Sequence, residues 1–235
     1  MLELLNITWR NLIDPEFYIT YGGIWLLFFI VFAETGLFVG FFLPGDSLLF
    51  VAGMYSTELI VSLLKKGGAG GDLPDLLVLW LLVSICGILG NSAGYWFGKK
   101  SGPFLYHRKD TFLFKQKYLT RAKEFFDKHG GEAVVFARFL PIIRTFTPII
   151  AGIVVMDKKK FVLYNVIGCL AWVFTMLFAG HYLEKFFLAR YNFDLKKHLE
   201  VIVIGIVIVT TAPVIYKLFF GRKSSVAAED PYKKS

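Results

Sequence analysis

Cysteine and histidine are scarce in this chain, and no sequence motif for catalysis is present. Only two cysteines occur among the 235 residues, Cys86 and Cys169, each midway along an apolar segment. That excludes a disulfide framework or a cysteine-rich metal site and predicts two core thiols. The four histidines, His107, His129, His181 and His198, are scattered along the chain. With no Ser-His-Asp, paired-histidine or phosphate-loop pattern, neither an enzyme nor a metal or organic cofactor is expected. The start of the chain has no charged n-region, short apolar core and small-residue cleavage site, so no removable signal is predicted. Acidic residues are also in the minority, 18 against 26 Lys and Arg, for a net charge of +8.

What is abundant is apolar. The chain is 56% hydrophobic and 17% aromatic, with a mean hydropathy of +0.58. Those values belong to a polytopic membrane protein. The positive charge then follows from the bias of Lys and Arg toward the cytoplasmic side, and a nucleic-acid partner is not required. Apolar stretches run over 17–33, 36–53, 76–97, 133–156, 161–183 and 201–220. They predict a single transmembrane domain over 17–220, between a short amphipathic lead-in at 1–16 and a basic tail at 221–235. Residues 54–75, with Gly67 to Gly71, read as a polar loop. Within the basic block 98–132, apolar residues recur at helical spacing among the lysines and arginines of 117–128. This predicts an amphipathic helix on the cytoplasmic membrane surface.

The second and fourth stretches carry charge and helix breakers in their middles. Arg138 and Arg144 lie in 133–156, interrupted by Pro141 and Pro148. An ionisable group at membrane depth costs about 3 kcal/mol or more and marks a functional site with a buried partner. Residues six apart point about 120° from each other on a continuous helix. The two guanidiniums can therefore face one site only if the chain breaks at Pro141, which lies between them. In the other stretch, Glu34 and Asp46 flank a segment broken at Pro44-Gly45. A hairpin folded there brings both acids near the membrane midplane, where such backbone must be buried in protein or line a wet cavity. Gly87, Gly90, Ser92, Ala93 and Gly94 form a small-residue face for close helix packing, within one chain or between copies in a homo-oligomer. Asn91 beside them is an interhelical hydrogen-bonder.

Charge counting favours one topology. With 36–53 and 133–156 both re-entrant, about four helices span, both termini are cytoplasmic, and eighteen Lys and Arg lie inside against six outside. The first hairpin then opens from outside and the second from the cytoplasm. An internal repeat supports that pairing. Phe42-Leu43-Pro44 runs on to Ala52-Gly53, and Phe139-Leu140-Pro141 to Ala151-Gly152. The helices that follow end in Ala93-Gly94-Tyr95-Trp96 and Ala179-Gly180-His181-Tyr182. The predicted class is an all-α polytopic membrane protein of inverted repeats with two opposed re-entrant hairpins, an architecture that secondary transporters use. Opposed, two acids and two bases compensate each other's burial.

In order along the chain stand Glu34-Thr35-Gly36, Phe42-Leu43-Pro44-Gly45-Asp46-Ser47, Gly94-Tyr95-Trp96-Phe97-Gly98, and Arg138-Phe139-Leu140-Pro141 through Arg144 to Ala151-Gly152. With these motifs across roughly residues 30–180, the sequence resembles the DedA family, the bacterial branch of the membrane proteins that share the SNARE-associated or VTT domain. The resemblance implies opposed re-entrant hairpins, a bacterial inner-membrane location, and movement of lipids such as undecaprenyl phosphate or phosphatidylethanolamine between leaflets. It also implies proton-dependent envelope homeostasis. The acids required in that family match Glu34 and Asp46, and its two arginines match Arg138 and Arg144. One departure is Pro141-Ile142-Ile143, where many relatives have a glycine after the proline.

The expected function is therefore lipid transport of the flippase or scramblase type. Arg138 and Arg144 hold a phosphate head group, because guanidinium forks match phosphate oxygens. Glu34 and Asp46 neutralise the arginines in the empty site and carry protons. Ser47, Thr145 and Thr147 add hydrogen bonds, and Pro44, Gly45, Pro141 and Pro148 supply the breaks. The alternative is a proton-coupled exporter of ions or small solutes using the same acids.

Overall fold

A computed structural model describes residues 15–36, 45–65, 67–107, 130–138 and 141–192, with the isolated positions 124, 126, 128, 195 and 205. The lead-in before residue 15, Pro44, the surface helix predicted around 117–128 (apart from 124, 126 and 128), the span 201–220 (apart from 205) and the tail lie outside the described residues. Every described element is helical. Helix α1 covers Pro15–Gly36, α2 Gly45–Met54, α3 Ser56–Leu64, α4 Asp72–His107, α5 Glu132–Ala137, α6 Pro141–Ile153 and α7 Lys158–Tyr191.

Two of these helices are long and apolar enough to cross a membrane, Asp72–Phe104 within α4 and Lys158–Tyr191 in α7. Both outrun the predicted spans 76–97 and 161–183. At about 1.5 Å per residue, their 36 and 34 residues exceed a hydrocarbon core of about 30 Å, so their ends reach into the head groups. Lys99 and Lys100, placed by sequence in a separate basic block, are the continuation of α4. Arg190 likewise belongs to the last turn of α7 rather than to a loop. Asp157 starts α7 by accepting the Lys160 amide at 2.8 Å, and Asn192 ends it in the left-handed conformation.

The remaining segments are broken. Gly23, at φ 58°, kinks α1, leaving Gly23–Gly36 as a short apolar helix. Helices α2 and α3 meet at an angle of 80°, and α3 and the start of α4 take up most of the polar loop expected at 54–75, leaving residues 65 and 67–71 between α3 and α4 among those described. Sequence reading missed α3 because its three serine and threonine residues and Glu58 dilute the apolar signal. Its Leu59 and Ile60 are nevertheless buried. On the other side, α5 and α6 are separated by residues 138–140, and Pro141 opens α6, a position where the missing N–H costs nothing.

The core lies among α1, α2, α4 and α7, with Leu27, Ile30, Leu48, Leu49, Leu79, Trp172 and Leu177 almost wholly buried. In lipid, such packing rests on close backbone approach more than on water exclusion, and glycines provide it. A Cβ on Gly53 would strike the Leu177 carbonyl, and one on Gly180 the Phe50 carbonyl, locking α2 against α7. A Cβ on Gly152 would strike the Tyr95 carbonyl, and one on Gly98 the Ile149 carbonyl, locking α6 against α4. Gly36 and Gly90 make the corresponding approach between α1 and α4. The small-residue face read from the sequence is thus used within the chain, with Gly87 facing the Cys169 sulfur and Gly90 the Thr35 hydroxyl.

Candidate functional site

The broken segments converge on α7. Arg144, on the second turn of α6, is 7% exposed and donates through Nη2 to Glu34 Oε1 and through Nη1 to Asp46 Oδ1. Glu34 comes from the last turn of α1, and Asp46 from the first turn of α2, where the helix dipole favours a carboxylate. Trp172 completes this cluster. Its indole donates to Asp46 Oδ1 at 2.9 Å, and its ring lies 4.6 Å from the Arg144 guanidinium carbon, within cation–π range. Gly45 makes the arrangement possible, since a Cβ there would overlap the Glu34 carboxylate. Sequence reading gave Gly45 the role of a break; its place in the structure is a cradle for Glu34.

Arg138 is treated differently. It is 4% exposed, at the end of α5, and its shaft crosses α7 at Gly168, where a Cβ would come within 2.8 Å of Arg138 Cδ. Its Nη2 donates to Asn165 Oδ1. Asn91 of α4 donates to the same oxygen at 2.7 Å, and Asn165 Nδ2 reaches the Ile88 carbonyl at 3.3 Å. Turning the Asn91 amide over sets its oxygen toward Arg138 and its nitrogen 2.9 Å from the Thr35 carbonyl. Among the described residues Arg138 pairs with no carboxylate, and its Nε has no partner.

The expectation that the acids neutralise both arginines is therefore corrected. Both carboxylates go to Arg144, and Arg138 receives amides. The cause is that the two arginines stand on different helices: Arg138, at the end of α5, lies against α4 and α7, while Arg144 on α6 faces α1 and α2. Counted formally, the Arg144 cluster carries one excess negative charge and the Arg138 cluster one positive charge. Ser47 and Thr145 are buried beside Asp46 and Arg144, while Thr147 spends its hydroxyl on the Ile143 carbonyl at 2.7 Å. Pro148 stands inside α6.

Sequence reasoning missed Asn165 and Trp172. Each carried a signal. Asn165 is an amide in the middle of an apolar helix, and Trp172 is a tryptophan at membrane depth, away from the interface that this residue favours. A second polar cluster was also missed, because its members looked scattered. Ser56 Oγ lies 3.3 Å from His181 Nδ1, and His181 Nε2 lies 3.4 Å from Asp72. Asp72 also accepts from Thr57 at 3.2 Å and pairs with Lys185. This Ser-His-Asp contact ties α3, α4 and α7 together at one end of the bundle. Ser56 is 1% exposed and His181 5%, so the contact lies inside the helix packing. Both cysteines are free, Cys169 buried and Cys86 partly so, and the Cys169 thiol points to the Ser84 carbonyl at 3.4 Å.

A buried arginine–carboxylate cluster between broken helices, carried by two long apolar helices, defines an integral membrane protein. The VTT domain matches residues 43–182. The chain is 35% identical to Protein DedA of Escherichia coli strain K12 over 211 residues, covering 88% of each chain. It is 33% identical over 218 residues to an uncharacterized membrane protein of Mycobacterium leprae, covering 90% of this chain and 89% of that one. It is 32% identical over 160 residues to the inner membrane protein YqjA of E. coli, covering 68% and 67%. The chain belongs to the DedA family of membrane proteins. No solved structure matches it.

Proposed function

We propose that the protein moves a phosphate-bearing lipid, such as undecaprenyl phosphate or a phospholipid, between the leaflets of a bacterial inner membrane. One observation carries this reading: Arg138 is a buried cation with no carboxylate partner among the described residues. An isolated buried charge is worth several kcal/mol of penalty, and a phosphate oxygen removes that penalty with charge-assisted hydrogen bonds. Arg144 is held in reserve by Glu34 and Asp46. Glu34 Oε2 accepts no hydrogen bond from the described residues, so it is the oxygen at which a proton arrives. Protonation weakens the grip on Arg144 Nη2 and frees it to join Arg138 on the phosphate. No covalent step is required, and the protein acts as a carrier.

In this reading the stretches 36–53, of which the structure describes residue 36 and α2, and 133–156, with α5 and α6, are two opposed re-entrant hairpins related by the internal repeat, and both termini are cytoplasmic. The crossed packing supports this reading. The hairpin of the first half seats on α7 through Gly53 and Gly180, and that of the second half on α4 through Gly152 and Gly98.

The test is head-group flip of labelled lipids in proteoliposomes with and without a pH gradient, comparing a phosphate lipid with a neutral one. Wild type accelerates flip, and Arg138→Gln and Glu34→Gln abolish it while the protein still inserts. No flip above empty liposomes, together with a pH-driven solute flux, overturns the lipid reading. That outcome favours the proton-coupled exporter, to which the free Glu34 oxygen is equally suited.

A further inference from the structure

A groove separate from the arginine site runs between α4 and the start of α7. It is lined by Ser92, Tyr95, Trp96, Lys99, Lys158 and Phe161, with Val162 on its rim, and has a volume of about 280 Å³. Its floor is the stacked pair Tyr95 and Phe161, with ring centroids 4.5 Å apart and an interplanar angle of 23°. The polar atoms of the walls are already used. The Tyr95 hydroxyl donates to the Met156 carbonyl at 2.6 Å, and that of Ser92 to the Ile88 carbonyl at 2.7 Å. What remains is an apolar slot with two exposed ammonium groups, Lys99 and Lys158, and among the described residues neither is in an ion pair. Trp96 and Val162 on the rim are 62% and 38% exposed, on the two helices long enough to span the bilayer. Lys100 sits over the Trp96 ring at 5.1 Å, and Asp157, the nearby acid, caps α7 through the Lys160 amide.

We propose that this groove docks a glycerophospholipid with an anionic head group. An apolar slot opening to lipid and ending in two lysines matches one molecular design, an acyl chain joined to a phosphate. Lysines at this depth extend to the interface and carry a favourable term for anionic lipid, and the neighbouring tryptophan and tyrosine suit the head-group level. A volume below the roughly 300–1,000 Å³ of a ligand-engulfing pocket suits the glycerol end of one chain, the rest staying in the bilayer. The slot also ends close to the Arg138 cluster. Asn165 follows Phe161 by one helical turn on α7, and Asn91 adjoins Ser92 on α4. On the transport reading, from which this extension follows, the groove is the loading position for the head group.

The test reads binding rather than flip. Wild type and Trp96→Phe are reconstituted in phosphatidylcholine containing, at equal fraction, either phosphatidylglycerol or phosphatidylcholine with brominated chains. The difference between the two proteins isolates Trp96 quenching. Brominated phosphatidylglycerol is expected to quench Trp96 in preference to brominated phosphatidylcholine, with an affinity ratio on the order of tenfold. The ratio falls to about one in Lys99→Gln/Lys158→Gln and is restored in Lys99→Arg/Lys158→Arg. Equal quenching in wild type, or a preference that survives the glutamine pair, overturns the groove. A protein that shows the preference but flips no lipid defeats the transport reading alone; one that flips lipid without the preference defeats the groove alone.

Discussion

On the transport reading proposed above, removing either arginine stops phosphate binding, but the two removals act oppositely on the fold. In Arg144→Gln, Glu34 and Asp46 face each other across a buried site with no cation, and breaking a buried pair in this way costs about 3–5 kcal/mol. At about 2–4 °C per kcal/mol for a chain of this size, the melting temperature falls by roughly 6–20 °C. In Arg138→Gln the chain loses the hydrogen bond to Asn165, worth about 1.5–3 kcal/mol because one partner is charged. It also sheds a desolvated charge whose penalty is several kcal/mol. The two terms offset each other, so the melting temperature holds or rises. The assay is thermal unfolding of the purified protein in detergent, followed by size-exclusion recovery. Equal destabilisation by both substitutions refutes the reasoning, because it means that Arg138 too has an acidic partner.

Two further outcomes follow from the contacts. Gly45→Ala puts a methyl group where the Glu34 carboxylate lies; the carboxylate swings off Arg144 and stability falls by about 1–3 kcal/mol, whereas Gly67→Ala, in open space, is silent in the same melt. Trp172→Phe keeps a ring over Arg144 but deletes the 2.9 Å bond to Asp46, lowering stability by about 1.5–3 kcal/mol; an unchanged melting temperature would show that Asp46 does not need the indole.

Much of this architecture can be read from residue chemistry. Charge inside an apolar run exposed Glu34, Asp46, Arg138 and Arg144, because lipid tolerates such groups only when they are paired or used. The glycine face near Gly90 was visible for a similar reason, since small residues recurring along an apolar helix have few other uses. The partition of charge was not visible. Whether the acids serve one arginine or two depends on the direction that Arg138 takes as the chain leaves α5, and that is fixed by Gly168 and Asn165 on a helix later in sequence. The contact of His181 with Ser56 and Asp72 was hidden likewise, since it joins residues 125 positions apart and no local period records it. Helix α3 escaped because nine residues are too few for polar and apolar faces to stand out.

The seating of the early broken segment on α7 also sets a timetable for synthesis. Asp46 emerges 98 residues before Arg144 and 126 before Trp172. At about 5–20 residues per second, the acid waits on the order of 5–25 s for its cation and its indole. Until then the first half has no α7 on which to close, and Asp46 must stay at the membrane surface or be held by insertion machinery. A ribosome that stalls before Trp172 therefore leaves a chain that cannot seat its early broken segment, and such truncated products are expected to be cleared by membrane proteases rather than to accumulate.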